Sequence, residues 1–150
     1  MKMSERDRAA AAGMAPGAIT ARGFLGSDER ALADIVAADE EAAAALGLDL
    51  GAAADRLAEL ARKGEAGLGE PVTVEGRWLV RSEESRGRLP CPWRDGFYHK
   101  NSVSVEALEG GERLVFSELS LHLLREHHFC QGEGSPFRLD PAALKRLLGP

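Results

Sequence analysis

Between Ser27 and Gly64, apolar residues return twice at helical spacing. Leu32, Ile35, Val36, Ala43 and Leu46 form the first series, with Ser27 placed as an N-cap and Asp28 and Glu29 bringing negative charge to the first turn. Gly47 stops it. Asp49 then opens a second helix whose Leu50, Ala53, Leu57, Leu60 and Ala61 line one stripe, closed by Arg62, Lys63 and Gly64. So short a connection predicts an antiparallel helical hairpin. Its many alanines bury little area, so its stability depends on packing against the rest of the chain.

Past the glycine-rich stretch EAGLGEP the period falls to two. Val72 and Val74 alternate with polar neighbours, Glu75-Gly76 marks a turn, and Arg77 to Arg81 carries Trp78, Leu79 and Val80. NSVSVEAL and ERLVF flank Glu109-Gly110-Gly111, a second hairpin signal. Ser117 caps a further helix, and Asp140-Pro141 starts a last one with Leu139 and Leu144 as a hydrophobic staple. The expected fold is α+β: an N-terminal helical hairpin packed with a small, mostly antiparallel sheet of about four strands, plus two C-terminal helices. Residues 1–22 read as a flexible tail, because Gly13, Pro16 and Gly17 interrupt their alanine-rich run. Residues 23–66 form the hairpin, and 67–150 an α+β region that makes one compact domain with it.

Hydrophobic residues at 44% against 29% charged describe a chain with one modest core. A net charge of -5 disfavours nucleic acid and anionic membrane as partners. Glu5 and Asp7 break up the basic start that a secretory signal needs, and no apolar run reaches the length of a membrane span. Two cysteines are too few for a disulfide scaffold, so the expected setting is the reducing cytoplasm.

Candidate chemistry concentrates in LHLLREHHFCQGEGSPFR, which begins at Leu121 and holds three of the four histidines. At about 100° per residue, His122 and His127 lie roughly 140° apart on a helix, a poor arrangement for gripping one ion. His122 shares a face with Glu118, Arg125 and Glu126 and reads as solvated, whereas His127 falls between Leu123 and Leu124 and requires an inward partner. His128 falls near Leu121 and Leu124 and is ambiguous. His99 has the strand parity of Val103, Val105 and Ala107 and therefore reads as inward. Cys91 sits between two prolines, and Cys130 follows the helix end. Cys91, His99, His127 and Cys130 thus make a candidate tetrahedral set for zinc, though without the paired CxxC spacing that usually announces one. Cys91 as a nucleophile would need its pKa lowered by Arg88, Arg94 or His99, and no nucleophile motif surrounds it; Ser135 lies outside any GxSxG elbow.

Gly132 and Gly134 with Arg138 suggest an anion-binding turn, against the simpler alternative of a connector with Arg138 paired to Asp140 or a carbonyl. Six cations, five of them arginine, interleave with Trp78, Trp93, Phe97 and Tyr98 over residues 77–100, and the acidic whole favours core formation there over single-stranded nucleic acid. The sequence therefore describes a small binding or interaction protein, with the balance against an enzyme, whose partner is a protein or a small anionic ligand. Its candidate ligand-binding residues are Trp93, Arg94, His99, His127 and Arg138. No cofactor is assigned; the alternative is a zinc-binding module or small Cys/His-dependent enzyme using Cys91, His99 and His127.

Overall fold

Five α-helices and four strands follow one another in the computed structural model, which describes residues 3–149: α1 (Glu5–Gly13), α2 (Leu32–Ala45), α3 (Leu50–Gly64), β1 (Val72–Val74), β2 (Trp78–Pro90), β3 (Phe97–Ala107), β4 (Arg113–Phe116), α4 (Glu118–His127) and α5 (Pro141–Leu148). Residues 1 and 2 of the expected tail, and residue 150 of the α+β region, lie outside the described residues. Asp49, Ser117 and Asp140 cap α3, α4 and α5, each accepting a backbone N–H of the first turn. These caps stand where the sequence puts them. The fold is α+β, with helices before and after a four-stranded antiparallel sheet.

The start of α2 differs from the sequence expectation. Its N-cap is Ala31, with no side-chain cap bond, because Ser27 and Asp28 are engaged elsewhere. Asp28 pairs with Arg30 at 2.7 Å and accepts the Glu133 N–H, while the Ser27 hydroxyl donates to the Glu133 carbonyl. The segment before α2 is thereby laced to the loop after α4. Gly132 makes the approach possible: a Cβ there would collide with the Leu25 backbone.

The stretch expected to be a flexible tail also differs. Ser4 caps α1, and Ala10 and Met14 are fully buried with Ile35, Leu123 and Phe129. The alanine run offers a flat surface that permits close approach, and the following Gly and Pro end the helix instead of dissolving it.

The strands form a meander in the order β1-β2-β3-β4. The central hairpin is longer than alternation predicts, running from Trp78 opposite Ala107 out to Pro90 opposite Phe97, with an irregularity between Glu84 and Arg88. The charged run RSEESRGR gives no apolar period because that arm is largely solvated; backbone pairing carries most of it, with Arg81 and Ser82 donating to the Gly69 and Ala61 carbonyls at its base. Its far end delivers residues 91–96 to α4.

That helix is buried at six consecutive positions, Leu119 to Leu124. Leu121 and Leu124 pack with Trp78, Val105, Phe116, Leu57 and Leu60 on the sheet side, while Leu119 and Leu123 pack with α1 and α2 residues on the other. A helix covered from both sides has no solvent stripe. Each fully buried leucine contributes roughly 1.5–3 kcal/mol. Among the described residues, no helix is long and apolar enough to cross a membrane.

Candidate metal centre

The loop joining β2 to β3 turns tightly on itself. The Cys91 N–H donates to the Gly96 carbonyl at 3.0 Å and the Arg94 N–H to the Cys91 carbonyl at 2.8 Å, with Arg94 in the left-handed region at φ 61. Pressed onto α4, this loop sets Cys91 and Asp95 against His122 and His127. Asp95 Oδ1 lies 2.9 Å from His122 Nε2, and Asp95 Oδ2 lies 2.7 Å from His127 Nε2. Cys91 Sγ is 3.7 Å from the same His127 nitrogen and accepts the Trp93 N–H at 3.4 Å. The four donor atoms all lie within 4.8 Å of one another.

Aromatic neighbours fix the two imidazoles. Trp93 stacks on His127 with centroids 4.1 Å apart and planes 8° from parallel, and Tyr98 stacks on His122 at 4.2 Å. The two imidazoles meet edge to face at 5.3 Å. Trp93 is itself held by α1, its Nε1 donating to Asp7 Oδ1 at 3.2 Å. The N-terminal helix thus supports the site through the tryptophan.

The electrostatics are those of a shared anion. Burial opposes ionisation of Asp95, but its interactions with Cys91, His122 and His127 outweigh burial and hold the carboxyl well below the usual range. Burial, with Asp95 beside it, pushes the Cys91 thiol up to about 12. Burial also lowers the His127 pKa, with Asp95 opposing.

This geometry differs from that of a thiol-catalysis relay. In a Cys-His-Asp relay the imidazole takes the thiol proton on one nitrogen and is oriented by the carboxylate at the other. Here Cys91 and Asp95 approach the same nitrogen of His127, and the thiol is raised, not lowered. A sulfur, a carboxylate oxygen and two imidazole nitrogens within 4.8 Å of one another are a group that could hold a borderline metal ion.

Of the residues singled out in the sequence, the structure brings Cys91, His127 and Trp93 together. His99 is exposed on β3, its backbone N–H donating to Glu118 Oε2 at 3.3 Å. Beyond the irregularity in β2 it is Tyr98, of opposite parity, that meets α4. Cys130 lies in the sheet-side cluster, its thiol pushed up by burial and by Asp39. Arg94 is exposed. Arg138 is fully engaged with both Asp39 oxygens at 2.9 and 3.0 Å, the Gln131 carbonyl at 2.7 Å and Asp140 at 3.1 Å, as a connector would have it. His128 is exposed and pairs with Glu40 at 2.8 Å. The solvated reading of His122 is overturned: it is only 7% exposed, because the β2–β3 tip covers the face that its helical neighbours mark as polar. The angular objection fails with it, since the covering loop brings one carboxylate to both imidazoles.

Asp95 and His122 are the two members that sequence reasoning missed. Asp95-Gly96 reads as ordinary turn chemistry, and the combination of CxxxD in a proline-flanked loop with HxxxxH on a helix is the pattern that would have flagged both. Compared with known proteins, the chain matches no family model, no curated protein and no solved structure.

Proposed function

We propose that this chain is a zinc-binding protein whose ion is held by Cys91 Sγ, an Asp95 carboxylate oxygen, His122 Nε2 and His127 Nε2. One observation supports this reading above the others: four donor atoms from a hairpin tip and a distant helix lie within 4.8 Å of one another, with both imidazoles held in place by stacked aromatic rings. Tetrahedral zinc with bonds of about 2.0–2.3 Å places its donors roughly 3.3–3.8 Å apart. The 3.7 Å from Cys91 to His127 already fits. The Asp95–histidine contacts of 2.7 and 2.9 Å are hydrogen bonds, and they open by about half an ångström when an ion replaces the protons between them.

Four protein donors close the coordination shell, the pattern of a structural site with no position for a reacting water. The expected binding protein is thereby given a ligand, and the ion's role is to fasten the hairpin tip to α4. A thiolate ligand must stay reduced, so the same reading favours a cytoplasmic setting. The test is metal analysis of untagged protein followed by zinc titration against a competing chelator. The expected result is about one equivalent per chain, lost in Cys91→Ser and in His122→Ala and retained in Cys130→Ser. A wild-type chain that takes up no zinc from a micromolar supply would overturn the reading.

A further inference from the structure

A cavity with its own lining, apart from the candidate metal ligands, lies between the segment before α2, the β2–β3 arm, the start of α4 and the loop after it. It measures about 410 Å³. Phe24, Leu89, Leu119 and Phe137 give it apolar walls, and Arg22 and Lys100 stand at its edge. Both cations are exposed, and neither has an ion-pair or hydrogen-bond partner among the described residues. That separates them from Arg138, whose charge is fully used within the fold.

Gln131 adds a polar side chain to this lining. It lines the cavity while only 3% exposed, and its backbone is held at φ 69, where a side-chain-bearing residue is strained. Its Oε1 accepts the Ser135 hydroxyl at 2.6 Å, which fixes the side chain against the cavity. Apolar walls with two cations that are unpaired among the described residues are the composition of a small-molecule site.

We propose that this cavity binds a small amphipathic carboxylate, its carboxylate between Arg22 and Lys100, its apolar body on Phe24, Leu119 and Phe137, and Gln131 as the polar contact inside. At roughly 30 Å³ per heavy atom the volume suits a ligand of about a dozen heavy atoms, the size of a ten-carbon acid and too small for a two-chain lipid. The carboxylate is the group that uses the unpaired charges, since both cations donate charge-assisted hydrogen bonds to it.

The probe is sodium decanoate, titrated below its micelle concentration into isotope-labelled protein and followed by amide NMR. Saturable shifts are expected at the Gln131 side-chain amide and at the backbone of Phe24 and Phe137. Arg22→Ala and Lys100→Ala, both at exposed positions, should each weaken binding by about tenfold, and decan-1-ol should bind weaker by a similar factor. The proposal is overturned if no signal saturates, if the shifts centre instead on the exposed Leu68, Phe97 and Leu108, or if decan-1-ol binds as tightly as decanoate.

Discussion

Each of the chain's two cysteines is 1% exposed and lies near an aspartate, yet the two neighbourhoods are built for different ends. Beside Cys130, Asp39 is occupied by both arms of the Arg138 guanidinium, a permanent cation that fills the carboxylate and leaves no donor to spare. Beside Cys91, Asp95 is held by two imidazoles, groups that can give up their ring protons and turn the freed nitrogens toward a metal. Burial and thiol chemistry are shared. The identity of the carboxylate's partner separates a structural ion pair from a candidate ligand set.

Breaking the arginine side should have the largest effect. Arg138→Ala leaves Asp39 buried without its partner and should cost about 3–5 kcal/mol in urea unfolding, with zinc stoichiometry unchanged. A loss below about 1 kcal/mol would mean that the pair is not the anchor of that region. Leu123 and Leu124 sharpen the contrast, being adjacent, fully buried and on opposite sides of α4. Alanine at either should cost about 2–5 kcal/mol, but only Leu123→Ala should also weaken zinc binding, because Leu123 packs in the cluster that contains Cys91. Equal zinc affinities in the two variants would erase the distinction between the two sides.

Trp93→Ala should reduce zinc affinity by about 10- to 100-fold in chelator competition without changing stoichiometry, since it removes the ring that orients His127. Unchanged affinity would show that the stacking is incidental. The smallest effect belongs to an exposed network away from both cysteines. Arg56 and then Lys63 hold the Glu75 carboxyl down to about 2, below its ordinary 4.5. A depressed folded-state pKa gives stability that is present above about pH 5 and lost as pH falls toward 2. Glu75→Gln should therefore unfold at slightly lower urea than wild type at pH 7 and converge with it in acid; a difference that grows toward acid would contradict that sign.

These contrasts follow the limits of what the sequence shows. Helix caps, hairpin turns and the apolar stripe of α3 are local features, and Asp49, Ser117 and Asp140 act where local rules put them. Cys91 and His127 were likewise visible as residues needing partners. Asp95 and His122 were not, because their environment is made by contacts distant in sequence: the β2–β3 arm crosses a charged stretch with no apolar period before its tip lands on α4. Helical angle assigns a residue to a face, but it cannot say which other element covers that face. Residues 3–22 depart from the expected tail for the same reason, since Ala10 and Met14 acquire their burial from α2, α4 and Phe129.

X-ray absorption at the zinc edge tests the central claim most directly, because it counts sulfur atoms around the ion. The account predicts one sulfur at about 2.3 Å and three nitrogen or oxygen donors at about 2.0–2.1 Å, with the sulfur shell lost in Cys91→Ser and kept in Cys130→Ser. Two sulfurs, or a shell of nitrogen and oxygen alone in the wild type, would contradict it.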